Sequence, residues 1–348
     1  MADTMRAYQI TAWGEPAEYR EVPVPEPGPG QVLVKVAGVG LCHSDEFFLN
    51  AQPGMFPYDL PFTLGHEIAG WVAKYGPGTP HDVPLIGSAV IVYASSPCGE
   101  CVSCRSGAEN ICLKTRSGRG YGRDGGLADY VLVDNLAHIV PLDDLDPVAT
   151  APLCDAGTTS FHAVRRALPK LLPDGAAVVI GAGGLGGYAV QWLRLLSDAR
   201  IIAVDTAQHR LDHARELGAH ELLLSDEDVN NRLAEMVGGR GADIVLDFVG
   251  IDQTLATGLS VAARSSSFGI IGAGRGQVSV SWGQLPFECD LWCTQGSTVA
   301  DLFAVVELAK TGDVVMDVDR FGFDDIPNAY RALAEGSVRS RAVVEVGT

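Results

Sequence analysis

No stretch of this sequence stays apolar for more than about a dozen residues before Gly, Pro or a charge interrupts it, well short of the roughly 20 that a membrane span requires. Positive charge is scarce too. Only 25 Lys and Arg stand against 43 Asp and Glu, and a net charge of −18 repels phosphate backbones and anionic headgroups. Neither nucleic acid nor a membrane surface is therefore an expected partner. The N-terminus, MADTMRAYQITAW, has no basic segment followed by an apolar run, so no secretory leader is read and the expected compartment is the reducing cytoplasm. Repeats at solenoid periods and low-complexity tracts are also missing.

What is present is length and glycine. A chain of 348 residues is long enough for two hydrophobic cores, and 41 Gly without a collagen period imply many turns and close backbone approaches. From about residue 5 to 155 the texture is short strands broken by Gly and Pro, such as Val32 to Val36 and Ala89 to Tyr93. Near residue 157 it changes to strands alternating with helices. Strands are expected at Ala177 to Ile180, Ile201 to Asp205, Ile244 to Phe248 and Phe268 to Ile271, with helices at about Gly184 to Ser197 and His209 to Leu217. This alternation predicts a doubly wound parallel sheet in an α/β chain. Two more helices, Asp301 to Lys310 and Ile326 to Glu335, and a closing strand, Arg341 to Val346, complete the chain. The expected domains are 1–156 with 297–348, and 157–296.

Four of the eight cysteines, Cys98, Cys101, Cys104 and Cys112, fall within fifteen residues as C-x2-C-x2-C-x7-C, with Gly99 and Gly107 as turns. Four thiolates close a tetrahedral zinc shell, so a structural zinc lobe is expected at about 95–115. The alternatives are a disulfide pair, which the compartment disfavours, scattered core cysteines, and an iron–sulfur run, whose last spacing differs. A second group of potential ligands is dispersed: Cys42 and His43 beside Gly40, His66 and Glu67 beside Gly65, and Cys154 and Asp155 where the two textures meet. Catalytic zinc takes three protein ligands and leaves one position open. Spacing alone does not separate that reading from ordinary structural Cys-His and His-Glu pairs.

The strand ending at Ile180 runs into Gly181-Ala182-Gly183-Gly184-Leu185-Gly186, a G-x-G-x-x-G turn that opens a helix. Such a turn lets a pyrophosphate approach free backbone N–H groups at the helix start. The next strand ends in Asp205, about 20 residues on, where a carboxylate accepts ribose hydroxyls and repels a 2′-phosphate. NAD(H) is therefore expected over NADP(H), with Arg210 packing near the ribose; a plain βα turn without ligand is the bland alternative.

Taken together, GHEIAGWVAKYG at 65–76, the cysteine lobe and GAGGLG resemble the zinc-dependent medium-chain alcohol dehydrogenases along essentially the whole chain. The likeness is strongest to bacterial, including actinobacterial, NAD-dependent secondary-alcohol dehydrogenases and carbonyl reductases, whose LTDAGLT is similar to Leu153 to Thr159. The resemblance implies a GroES-like β-rich catalytic domain beside a Rossmann domain. It also implies a catalytic zinc on Cys42, His66 and Asp155, Glu67 as an occasional further ligand, and so two Zn2+ per chain with the lobe. Cys154 stands next to Asp155 as a competing ligand. Ser44 becomes the proton-relay hydroxyl, Asp45 the residue orienting His66, and Arg341 a pyrophosphate contact. Phe47 occupies the place of the histidine that ends the relay in many members, leaving His43 or water to carry the proton out. Phe47, Tyr58 and Gln295 are implied at the substrate pocket, with Trp282 and Trp292 as further candidates. The implied activity is hydride transfer between NAD(H) and an uncharged alkyl or aryl alcohol, ketone or aldehyde, in a homodimer or homotetramer that meets along an edge strand at about Trp282 to Leu291. Alternatives are a zinc-independent quinone or enoyl reductase, a formaldehyde or primary-alcohol specialist, and a non-catalytic NAD-binding protein.

Overall fold

The computed structural model describes residues 3–115 and 117–347. The chain divides into two compact units, Met1–Asp155 with Ser297–Thr348, and Ala156–Gly296.

The first unit is built around a seven-stranded sheet. In spatial order its strands are Ile139–Pro141, Ala89–Val92, Glu67–Tyr75, Val32–Gly40, Ala342–Glu345 and Asp319–Gly322, with Tyr130–Val133 also paired to Val32–Gly40. Val32–Gly40 is the spine. All but Lys35 of its nine residues are buried, and the Val-rich run suits a strand covered on both faces. The C-terminal strand pairs with it antiparallel, Val343 opposite Gly40 and Val344 opposite Val39. The helix Ile326–Ala334 turns Ile326, Ala329, Tyr330 and Leu333 inward, the i, i+3, i+4, i+7 set of an amphipathic helix, and these join the same core as Val34, Val39, Leu64 and Ile68.

The second unit is a six-stranded, wholly parallel sheet. Counting its strands along the chain as Ala176–Ile180, Arg200–Asp205, Glu221–Leu224, Ala242–Asp247, Ala262–Ile270 and Asp290–Cys293, the spatial order is third, second, first, fourth, fifth, sixth. The order reverses beside the first strand, and ligands of such sheets bind outside the strand ends at that reversal. The three central strands are buried nearly throughout, as β-branched runs covered on both faces must be.

The edge strand differs from the sequence expectation. It is Asp290–Cys293, and Trp282 lies in the preceding loop, 90% exposed. Gly283 there takes a φ of 91° and Pro286 has no N–H for a ladder, so the segment cannot extend as a strand. Trp292 is buried within this unit, donating from Nε1 to Ser267 Oγ at 2.8 Å beneath the Arg166 guanidinium, 4.4 Å from the ring centroid. Packing within the parallel sheet accounts for it.

Candidate active site

The turn after the spine strand carries Cys42, which precedes the short helix His43–Leu49. Asp45 reaches back to that turn: the Cys42 N–H donates to Asp45 Oδ2 at 3.1 Å. This reciprocal bond fixes the backbone that carries the thiol. His66 immediately precedes the neighbouring strand Glu67–Tyr75, and its Nδ1 lies 3.0 Å from Asp45 Oδ1. His66 Nε2 thus faces Asp155 Oδ2 at 3.5 Å, while Cys42 Sγ is 3.8 Å from the same oxygen. Ligand atoms of Cys42, His66, Glu67 and Asp155 all fall within 4.8 Å of one another. Bonds of about 2.0 to 2.3 Å in a tetrahedral zinc shell place neighbouring ligand atoms about 3.3 to 3.8 Å apart, so the three-residue set Cys42, His66 and Asp155 fits such an ion.

Glu67 and Arg341, 0% and 3% exposed, are a buried ion pair. Arg341 Nε donates to Glu67 Oε2 at 3.1 Å and its Nη2 donates to Glu67 Oε1, with Asp155 Oδ2 a further 4.0 Å from Nη2. Burial pushes the Glu67 carboxyl up to about 7, against the pull of the guanidinium. The arginine expected at a cofactor pyrophosphate is, in this structure, the partner of Glu67. Both Glu67 oxygens are engaged by it, which sets Glu67 apart from the other three ligand groups.

Cys154 is turned elsewhere. Its thiol donates to Ala151 O at 3.3 Å and approaches His66 O at 3.7 Å, and burial pushes its pKa upward. A buried neutral thiol is a poor ligand, so the geometry favours Asp155 of the two adjacent candidates. Ser44 is half-buried on the first turn of the helix after Cys42, and Phe47 is exposed on the same helix.

Sequence reasoning missed Tyr121 and Tyr330, and with Tyr121 the rings of Phe48 and Phe56. Tyr121 stands edge-on to the His66 ring at 6.1 Å and stacks on Phe48 at 6.2 Å. Phe48 meets Phe56 at 4.9 Å, and Phe56 stacks on Tyr58 at 5.7 Å, so His66 has an aromatic wall beside it. Tyr330 donates from its hydroxyl to Asp45 Oδ2 at 3.2 Å. No local pattern marks either residue, because each reaches the site from a distant segment.

The cysteine lobe has the geometry of a second centre. Sulfur separations are 3.8 Å for Cys98 and Cys104, 3.4 Å for Cys101 and Cys104, and 4.0 Å for Cys101 and Cys112, and none of the four is in a disulfide. Backbone N–H groups of Cys98, Cys101 and Cys104 donate to the sulfurs of Cys112, Cys98 and Cys101 at 3.4 to 3.5 Å. Donors aimed at sulfur stabilise thiolates, the form that binds a metal.

In the second unit, Gly181 leaves the first strand with a φ of 85°, and the helix Gly184–Leu196 begins after Gly183. A Cβ on Gly186 would fall 1.9 Å from Gly181 O, so only glycine closes this turn. A Cβ on Gly183 would meet nothing within 4 Å, which leaves open space beside the free N–H groups of Gly184, Leu185 and Gly186. Asp205, buried at the end of the second strand, accepts from Ala182 N at 2.8 Å and Ala207 N at 2.9 Å, with Arg210 Nη1 3.9 Å away. The carboxylate therefore sits against the glycine turn, at the end of the second strand, where dinucleotide folds carry an acidic residue. Gln295 is exposed two residues past the edge strand.

Comparison with known proteins identifies the family. The alcohol dehydrogenase GroES-like domain family matches residues 28–144, and the zinc-binding dehydrogenase family matches residues 184–308. The D-arabinose 1-dehydrogenase (NADP(+)) of Saccharolobus solfataricus is 32% identical over 97% of each chain. An NAD-dependent alcohol dehydrogenase of Sulfurisphaera tokodaii is 35% identical over 77% of this chain and 78% of its own. Among solved structures, the alcohol dehydrogenase of Aeropyrum pernix is similar with a TM-score of 0.89 at 29% identity, covering 98% and 99% of the two chains. Acetophenone reductase from Geotrichum candidum, solved in complex with NAD, gives 0.85 at 29% identity over 99% and 98%. Relatives extend through archaea and bacteria, a wider range than the actinobacterial likeness of the motifs suggests. Among the described residues, no helix is long and apolar enough to cross a membrane.

Proposed function

The chain belongs to the medium-chain, zinc-type alcohol dehydrogenase family, whose members are oxidoreductases, and on that premise we propose that it transfers hydride between NAD(H) and an uncharged alkyl or aryl alcohol, its ketone or its aldehyde. The observation that carries the proposal is the convergence of Cys42, His66 and Asp155, with Asp45 behind His66. A zinc-independent reductase has no use for that ligand set.

Zinc held by those three residues supplies a Lewis acid that lowers the pKa of an alcohol oxygen, and the nicotinamide supplies the two-electron acceptor. The protein's own part is positional and electrostatic. Cys42 and Asp155 bring two negative charges that balance a divalent ion, while the Arg341 guanidinium compensates the charge of Glu67 and so keeps the ligand set from becoming anionic. Asp45 Oδ1, 3.0 Å from Nδ1 of His66, holds a negative charge against that side of the ring and leaves Nε2 to face the centre. Ser44 Oγ takes the alcohol proton; because Phe47 cannot relay it, exposed His43 or water carries it onward. In the other unit, Gly181, Gly183, Gly184, Leu185 and Gly186 cradle the pyrophosphate, and Asp205 with Arg210 holds the adenosine ribose. The four cysteines hold a second, structural zinc.

The aromatic wall of Phe48, Phe56, Tyr58 and Tyr121 supports apolar substrates, and the similarity to an acetophenone reductase supports aryl ketones among them. Phe47, Tyr58 and Gln295 remain the proposed substrate contacts. A second reading, oxidation of a sugar with NADP(H), rests on the relative that is a D-arabinose 1-dehydrogenase. Exposed Trp282 and Phe287 beside the edge strand support a homodimer or homotetramer. The deciding experiment is a panel of ketones, aldehydes, alcohols and pentoses assayed with NADH/NAD+ and NADPH/NADP+ in parallel. Turnover of apolar carbonyls with NADH is expected. Activity confined to pentoses with NADP+ overturns both the substrate and the cofactor assignment.

A further inference from the structure

The Asp45 carboxylate is fully buried and has three neighbours. Oδ2 accepts from the Cys42 N–H at 3.1 Å and from the Tyr330 hydroxyl at 3.2 Å, which leaves Oδ1 to face His66 Nδ1 at 3.0 Å. A carboxylate with one oxygen doubly occupied cannot rotate about its Cβ–Cγ bond without breaking a charge-assisted hydrogen bond in a low dielectric. Of the two donors, the Cys42 N–H moves with the Asp45 turn itself. Tyr330 does not. It stands on the buried face of the helix Ile326–Ala334, whose Ile326, Ala329 and Leu333 are locked in the core of the first unit, so its hydroxyl is delivered by a separate, rigid element. Burial and the charge of Asp45 hold the phenol well above its ordinary pKa of 10, which keeps it a donor.

We infer that Tyr330 is a positioning residue of the metal centre, locking the rotation of Asp45 so that Asp45 locks the ring of His66 toward Cys42 and Asp155. The inference rests on the reading that these residues hold zinc. Outer partners of metal-binding histidines typically govern about 10 to 100-fold in metal affinity. Tyr330, one bond further out, is expected at the lower end of that range.

The test uses the zinc-loaded full-length enzyme and its Tyr330→Phe variant, which keeps the ring and removes only the hydroxyl. Zinc release to a colorimetric chelator is followed in time, and the phase missing from an Asp155→Ala variant identifies the catalytic site. In Tyr330→Phe that phase should run on the order of 10-fold faster, the cysteine-lobe phase and NADH binding should be unchanged, and the visible spectrum of the cobalt-substituted enzyme should shift. In an Asp45→Ala background the same change should add nothing, because its route through Asp45 is gone. Unchanged release and an unchanged cobalt spectrum overturn the inference. So does a Tyr330→Phe effect that persists in the Asp45→Ala background, or one that also loosens the cysteine lobe or NADH binding. A wild-type chain holding only the cysteine-lobe ion overturns the catalytic-zinc reading itself, and this inference with it.

Discussion

Acid should unbind the first unit through one histidine outside the metal centre. His138 is 6% exposed, its ring packs 5.6 Å from that of Tyr93, and its Nδ1 has no hydrogen-bond partner among the described residues. Burial pushes it down from its ordinary 6.5 to about 4, and the nearby Arg119 guanidinium adds to the effect. The folded chain refuses a proton that the unfolded chain accepts, so stability is retained above about pH 6.5, is lost as pH falls through the window below it, and stops falling near pH 4. Integrated over that window the loss is about 3 kcal/mol, of which about 2 kcal/mol falls between pH 7 and pH 5. His138→Phe retains the ring against Tyr93 and deletes the titration. Urea unfolding followed by circular dichroism, with saturating zinc, should show the wild type losing about 2 kcal/mol more than the variant between pH 7 and pH 5. Two proteins that lose stability in parallel over that range would refute the argument, because the remaining acid-sensitive groups are common to both.

Three further outcomes are expected. Asp155→Ala should lower turnover by on the order of 1,000-fold or more and remove one zinc per chain in metal analysis, since the Lewis acid is worth several kcal/mol of barrier. Gly183→Ala should leave stability within about 0.5 kcal/mol and raise KM for NADH, whereas Gly186→Ala, forced against Gly181 O, should cost about 3 kcal/mol; thermal shifts and initial rates distinguish the two. Asp205→Ser should lower kcat/KM for NADH by about 10 to 100-fold relative to NADPH, the scale of hydrogen bonds to a charged group; an unchanged cofactor ratio would remove Asp205 from the selectivity argument.

Features confined to short segments were the legible ones. Four cysteines in fifteen residues and a glycine turn between two apolar runs declare themselves, because their partners are near in sequence. The parallel sheet followed from the alternation of its elements, and the observed strands Ala176–Ile180 and Arg200–Asp205 lie within a residue of those expected. Cys42, His66 and Asp155 are a different case: 113 residues separate Cys42 from Asp155, and only family resemblance connected them in advance. Tyr330 was illegible, since a tyrosine at a helical core spacing looks the same whether its hydroxyl meets solvent or a buried carboxylate, and Tyr121, between the short strands Gly118–Arg119 and Gly122–Arg123, carries no local signal of its place beside His66. Arg341 entered through the family resemblance, as a pyrophosphate contact, but that its guanidinium meets Glu67, 274 residues away, depends on strand pairing that no local pattern encodes.

That the first unit is made of two chain segments gives its completion an order in time. Synthesis runs from the N-terminus, so Cys42, His66 and Asp155 emerge as one batch, and the 341 − 155 = 186 residues from Asp155 to Arg341 follow over about 10 to 40 seconds at ribosomal speeds of about 5 to 20 residues per second. During that interval Glu67 lacks its Arg341 partner and Asp45 lacks one of its donors, while the Gly38–Gly40 end of the strand Val32–Gly40 presents an edge that Ala342–Glu345 will cover, Val32 to Lys35 being paired already with Tyr130–Val133. A nascent chain therefore owns every side chain of the proposed centre before it owns Tyr330 and Arg341, and the segment from Tyr330 to Glu345 acts as the clasp that closes it.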